Sequence, residues 1–259
     1  VIEERRVAIL ELKGLVKKFG HLVAVNTLDL TVEQGELRGL IGPNGSGKTT
    51  VFNVVCGFLS PTAGRVFFRG EDITDLAPHE VARKGLVRTF QLTALFREMT
   101  ALQNVVLAHH LHTGMGLFKQ FLRDARARQR EKEIQEKALA LLESMGIADK
   151  RNEIAGDLPH GHQCALGIAS ALATEPKMML LDEPVSGMNP TETRQTMERI
   201  RKVRDSGITV LLVEHDMKAV MTTCEKITCV NFGNKIAEGT PREILRHRDV
   251  IEAYLGAEA

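Results

Sequence analysis

The chain has 259 residues, 43% of them hydrophobic, and its 34 Lys and Arg nearly balance 33 Asp and Glu for a net charge of +1. That balance excludes a nucleic-acid binder working through bulk positive charge. The lack of Trp and the single Tyr, Tyr254, exclude aromatic platforms for stacking bases. The length supports one large core or two modest ones. Aliphatic runs such as Ile208 to Val213 are far too short to span a bilayer, and no basic-then-apolar leader is evident, so the expectation is a cytosolic protein. Cys56, Cys164, Cys224 and Cys229 are scattered without metal-type pairing and read as reduced structural thiols.

In chain order, Val7 to Leu12, Leu28 to Val32 and Leu37 to Ile41 predict strands. The third runs straight into Gly42-Pro43-Asn44-Gly45-Ser46-Gly47-Lys48-Thr49-Thr50, which fits the pattern G-x-x-x-x-G-K-[ST]. A helix is predicted from Thr49 to Cys56. Glycines here let backbone N–H groups from Asn44 to Thr50 wrap an anion without Cβ clashes, and the helix start adds partial positive charge. Lys48 would reach the β- and γ-phosphates and the Thr49 hydroxyl would ligate Mg²⁺, so the chain reads as a binder of a nucleoside triphosphate. Arg65 to Phe68 is a further strand. From Ala101 to about Ser144 the pattern turns helical, with Ile134, Ala138, Leu141, Leu142 and Met145 at helical spacing and Gly146 as a stop.

Strand and helix then alternate: Met178 to Leu181, helix Thr191 to Arg204, strand Ile208 to Val213, helix Met217 to Cys224 and strand Ile227 to Phe232. This predicts an α/β core with a parallel sheet, residues 1–91 and 173–259, interrupted by a helical subdomain at 92–172. Met178-Met179-Leu180-Leu181-Asp182-Glu183 is an apolar strand ending in two carboxylates, at the sheet edge where open α/β sheets bind ligands. Asp182 is suited to hold magnesium, and Glu183 to accept a proton from an attacking water. A second apolar strand ends in Glu214-His215-Asp216, which would bring a His215 imidazole to the same edge. Ser186-Gly187-Met188-Asn189-Pro190 reads as a turn, with Pro190 opening the next helix.

These residues, in this order, resemble the nucleotide-binding ATPase subunits of ABC transporters over nearly the whole chain. The resemblance implies an ABC ATPase core, RecA-like, with an antiparallel β subdomain on its N-terminal side. By the same likeness Phe19 stacks on adenine, Gln91 touches Mg²⁺ and opens the helical subdomain, Asp182 and Glu183 are the magnesium aspartate and catalytic glutamate, and His215 is the switch histidine. ATP and Mg²⁺ are the implied cofactors. The implied partners are two transmembrane permease subunits, a second ABC ATPase and, indirectly, an extracytoplasmic solute-binding protein, with no nucleic acid. The implied location is the cytoplasmic face of the membrane. Gly187 to Thr193, Val213 to Lys218 and Val250 to Gly256 are similar to the larger ATPase of branched-chain amino acid importers. ATPases of urea or amide importers and of lipopolysaccharide export share these features, and a non-transport ABC ATPase is the other class.

One motif departs from the family. Where the signature is Leu-Ser-Gly-Gly-Gln, this chain has Leu158-Pro159-His160-Gly161-His162-Gln163. In the family this segment meets the nucleotide held by the other subunit, a role that would fall here to Pro159, His160 and Gly161. Pro159 brings neither hydroxyl nor N–H, and His160 adds a Cβ. Either the signature has drifted and lost affinity, or a histidine donates a replacement bond. The first is favoured, because a histidine near its ordinary pKa of about 6.5 is mostly neutral at pH 7. Asn189 likewise stands where the family has Asp. The trio His109, His110 and His112 lacks the neighbouring acid or thiol that a metal site needs and reads as part of a polar connection. The basic run from Lys119 to Lys132 reads as a solvated face, or as one turned to an anionic membrane surface.

Overall fold

The structure, a computed structural model, describes residues 7–89, 95–113 and 125–255. The chain divides into two compact units, residues 1–88, 177–186 and 200–259, and residues 89–176 and 187–199.

The first unit holds two sheets. In the smaller, antiparallel sheet the order is β2 (Leu22–Glu33), β1 (Ala8–Phe19), β4 (Ala63–Phe68), β5 (Glu71–Asp72). Leu10, Leu12 and Leu15 of β1 are buried with Leu28, Leu30 and Val32 of β2 and Phe68 of β4. The same apolar cluster takes in Val51, Phe52 and Val55 of α1 (Lys48–Val55), so the small sheet is fastened to the helix that follows the phosphate-type loop. β1 is longer than its apolar run suggests because a register shift between Leu12 and Leu15 absorbs Gly14, whose φ is +57°.

The larger sheet has the order β10 (Asn234–Gly239), β9 (Lys226–Asn231), β3 (Leu37–Ile41), β8 (Thr209–Val213), β7 (Met178–Asp182), β6 (Leu86–Thr89). β9, β3, β8 and β7 run parallel, and β10 is antiparallel to β9. All five residues of β3 and of β8 are buried. Strands covered on both faces are mostly aliphatic rather than alternating, as these sequences are. Arg38 on β3 is the charged exception. It is 1% exposed, and its guanidinium donates to Glu36 (2.9 Å), Thr228 (3.1 Å) and Glu238 (2.9 Å), so the buried charge is paired with two carboxylates. Cys56, Cys224 and Cys229 are buried free thiols, their pKa pushed up to about 12 by burial.

Helices α2 (Pro78–Arg83), α7 (Met217–Thr223), α8 (Pro241–Ile244) and α9 (Arg248–Leu255) complete this unit. Asp216 caps α7 by accepting from the Ala219 N–H at 3.0 Å. Val220 of α7 presses on β3 at Gly39, where an added Cβ would stand 2.9 Å from Val220 Cγ1 and 3.2 Å from Cys224 Sγ.

In the second unit α3 (Ala101–Thr113), α4 (Ala125–Ser144) and α5 (His160–Leu172) pack on one another around Val105, Ile134, Leu142, Leu166 and Ala169. Gly146 ends α4 at φ +68°, the left-handed position that glycine takes without a Cβ penalty. Asn104, 3% exposed, accepts from the Phe96 N–H (2.8 Å) and donates to the carbonyls of Phe96 and Thr100, which folds residues 96–104 around its amide. α6 (Pro190–Asp205) has its first ten residues in this unit and the rest in the first. Among the described residues no helix is long and apolar enough to cross a membrane.

The close approach at Gly39 generates a stability test. Gly39→Ala should destabilise the fold by about 1–3 kcal/mol through overpacking, read from urea unfolding. In a Val220→Ala background the same change should be close to neutral. An equal penalty in both backgrounds would place the strain elsewhere.

Candidate active site

Parallel pairing aligns three strand ends. Leu40 of β3 lies opposite Val213 of β8, and Val213 opposite Asp182 of β7. The glycine-rich loop, Glu214-His215 and Glu183 therefore leave the sheet from one edge. In the loop, a Cβ on Gly42 would sit 2.0 Å from the Val230 carbonyl oxygen, and one on Gly47 (φ +105°) 2.3 Å from that of Ala24. Only glycine fits either place. The loop is pinned from outside by the Gly233 N–H donating to the Ser46 carbonyl at 3.0 Å.

Lys48 is buried and donates to the carbonyls of Gly42 (2.7 Å) and Pro43 (2.9 Å). The ammonium is thus held at the mouth of the loop on its own backbone. Burial lowers its pKa, and the carboxylates of Glu183 and Asp182 oppose that shift. Thr49 is exposed at the start of α1, while Asn44 and Gly45 line the outer rim. A hydroxyl, a carboxylate and phosphate oxygens make the hard-oxygen set that Mg²⁺ prefers, and Mg²⁺ needs no cage of protein acids. No group of three or more His, Cys, Asp or Glu able to hold a metal occurs among the described residues. Phe19 is half-exposed at the end of β1, with Lys17 Nζ 5.2 Å from its ring centroid.

Asp182 is engaged in a way its sequence does not announce. Arg88 of β6, 8% exposed, pairs with its Oδ2, donates to Asn53 Oδ1 of α1 at 2.6 Å and lies over the Phe52 ring at 5.6 Å. One guanidinium thus joins β6, β7 and α1. Glu183 has φ +47°, a left-handed backbone costing a non-glycine residue about 1–3 kcal/mol. His215 Nδ1 stands 3.9 Å from Glu183 Oε2 and 3.7 Å from Glu214 Oε2. The imidazole is more than half exposed and Glu183 about a third.

Glu214 was no candidate from the sequence, yet it is fully buried. Oε1 accepts from the Val185 N–H at 2.9 Å and Oε2 from the His215 N–H at 3.1 Å. Burial pushes its carboxyl above the usual range, against the pull of these amide bonds.

The variant signature opens α5. Pro159 precedes the helix and its carbonyl accepts from the His162 and Gln163 N–H groups. The Gln163 side chain turns back to the Leu158 carbonyl at 2.8 Å. The Nδ1 atoms of His160 and His162 have no hydrogen-bond partner among the described residues. Asn189 does the capping work that an Asp would do. Its Oδ1 accepts from the Thr191 and Glu192 N–H groups, both at 3.0 Å, and the Asn189 N–H donates to Glu192 Oε2 at 3.1 Å. The expectation that no acid stands near the histidine trio is corrected, because Glu131 lies 3.2 Å from His110 Nε2 across α3 and α4. Gln91 and the basic residues Lys119 and Arg123 lie outside the described residues, as does Gly256.

Comparison with known proteins matches the ABC transporter family at residues 25–186 and the branched-chain amino acid ATP-binding cassette transporter family at residues 234–259. The chain is 45% identical to the high-affinity branched-chain amino acid transport ATP-binding protein BraF of Pseudomonas aeruginosa, over 96% of this chain and 98% of the relative. It is similar to the ADP conformation of MJ1267, an ATP-binding cassette of an ABC transporter, with a TM-score of 0.85, 33% identity and coverage of 96% and 99%. It is also similar to a dimeric post-hydrolysis state of the ATP-binding cassette MJ0796 bound to ADP and Pi, with a TM-score of 0.73, 27% identity and coverage of 90% and 99%.

Removing one member of the nearly buried Arg88–Asp182 pair leaves the other uncompensated. Arg88→Met should therefore cost about 3–5 kcal/mol in chemical unfolding. Arg88→Met with Asp182→Asn should recover at least half of that loss. A simple sum of the two single effects would deny the coupling.

Proposed function

The chain belongs to the ABC transporter family of ATP-binding proteins, and from that premise we propose that it is the ATPase subunit of an importer for branched-chain amino acids. The hydrolytic part of this reading is carried by the common level of Leu40, Val213 and Asp182, which brings Lys48, Asp182, Glu183 and His215 to one sheet edge. The solute is supported by the C-terminal match at residues 234–259 and by the likeness to BraF.

In the proposed cycle Phe19 stacks on adenine, and the backbone N–H groups from Asn44 to Thr50 hold the phosphates. Lys48 exchanges its own carbonyl acceptors for phosphate oxygens. Mg²⁺, when bound, shields the β- and γ-phosphate charge, with the Thr49 hydroxyl, Asp182 and Gln91 as its holders. Glu183 takes the proton of the water that attacks the γ-phosphorus, and His215 donates an N–H to a γ-phosphate oxygen as charge develops there. The helical subdomain, 92–172, entered through Gln91, passes the state of the nucleotide to two permease subunits at the cytoplasmic face of the membrane. A second ATPase completes a head-to-tail dimer, and an extracytoplasmic binding protein delivers the solute.

In that dimer Pro159, His160 and Gly161 close the partner's nucleotide site, while this chain's own loop meets the partner's signature. With an intact signature on the partner, this chain's site is complete and the other is impaired. Glu183→Gln should keep ATP binding, trap an ATP-bound dimer and lower turnover of the assembled transporter by about 100-fold or more. Turnover within threefold of the parent would remove Glu183 from the role of base. The matching change in the partner ATPase should remove much less activity, and equal losses from the two changes would rule out the asymmetry.

A further inference from the structure

We infer that Glu214 is a positioning residue for ATP hydrolysis, its buried carboxylate tying the backbone that carries Glu183 to the backbone that carries His215. The inference rests on the roles proposed for those two residues. Glu214 is 0% exposed, and a carboxylate taken out of water is costly unless it is paired. Among the described residues no lysine or arginine pairs with it, and the exposed His215 imidazole stands 3.7 Å away, beyond hydrogen-bond reach. Both oxygens are instead committed to backbone amides of two different segments, Val185 at 2.9 Å and His215 at 3.1 Å.

The Val185 bond matters because of the backbone beside it. Glu183 sits in the left-handed region at φ +47°, a conformation that persists only when its surroundings over-determine it. Three bonds do so. The Glu183 N–H donates to the Val213 carbonyl at 2.9 Å, the Ser186 N–H to the Glu183 carbonyl at 3.2 Å, and the Val185 N–H to Glu214. Two of the three anchors, Val213 and Glu214, are consecutive residues at the end of β8, next to His215. Without the carboxylate, the turn after Glu183 loses its tie to β8, and Glu183 is free to relax and turn its carboxylate away from the water. The His215 N–H loses its acceptor in the same event. The phosphate loop, which makes no bond to Glu214 among the described residues, keeps its place.

The test is steady-state ATP hydrolysis and nucleotide binding by the assembled transporter with Glu214→Gln and Glu214→Ala. Gln keeps one acceptor oxygen and sets an NH₂ against the other amide, whereas Ala removes both acceptors. Because misplacement of about 1 Å can cost 100-fold, kcat should fall about tenfold with Gln and about 100-fold with Ala. KM for ATP and the affinity for a fluorescent ATP analogue should stay within twofold. Should the Ala variant not assemble, the Gln variant decides alone. A kcat within threefold of the parent, or a loss of ATP affinity as large as the loss of kcat, would overturn the inference. If Glu183→Gln also retains turnover, the reading of the site itself fails. If Glu183→Gln is dead while Glu214→Gln is fully active, only the positioning role fails.

Discussion

Parallel pairing of β3, β8 and β7 is the constraint on which the remainder of the site depends. Each strand is short, mostly aliphatic and almost wholly buried, so its register cannot slip without exposing apolar surface or breaking a ladder. Locking Leu40, Val213 and Asp182 at one level means that whatever follows each strand emerges at one edge. A loop that wraps an anion, a carboxylate pair and a histidine are thereby assembled from segments far apart in the chain. The antiparallel sheet adds a buttress, since its inner face is continuous with the apolar face of α1.

The polar groups in this edge are arranged with few degrees of freedom to spare. Lys48 rests on loop carbonyls, Asp182 on Arg88, and Glu214 on two amides. Each charge is balanced or bonded, which keeps the cost of burying it tolerable. The arrangement also sets out a division of labour. His215 is exposed and Glu183 partly so, while buried Glu214 and nearly buried Arg88 hold the frame around them.

What could be read from the chain follows from how local each signal is. β3 matches its predicted bounds because an apolar run and a glycine-rich loop delimit it within a few residues. α7 and α6 lie within a residue of their predicted bounds, and Pro190 opens α6 as its fixed φ suits it to do. β1 was read too short, since Gly14 and the lysines after it resemble a loop and the bulge that accommodates them depends on pairing with β2. The C-terminal β10, α8 and α9 were passed over although Thr240 and Glu243 form a capping box, a signal that was present in the sequence. The Arg88–Asp182 pair had no local signature at all, its members being 94 positions apart. Glu214 was visible as an acid after a strand, but period-2 alternation at a strand end does not say which of Glu214 and His215 turns inward.

The tight seat of α7 on Gly39 limits how His215 can act in the switch role proposed for it. β8 is wholly buried up to Val213, and Glu214 is bonded on both oxygens. On the far side α7 begins at Met217, with Asp216 spent on its cap and Val220 wedged against β3. Both flanks of His215 are therefore held by bonds or packing. The freedom this leaves most open is rotation about the two side-chain torsions of the exposed His215 ring. A gate built this way needs no loop to melt or re-form, so its two settings can interchange as fast as an exposed side chain changes rotamer, far faster than the subunit movements it would govern.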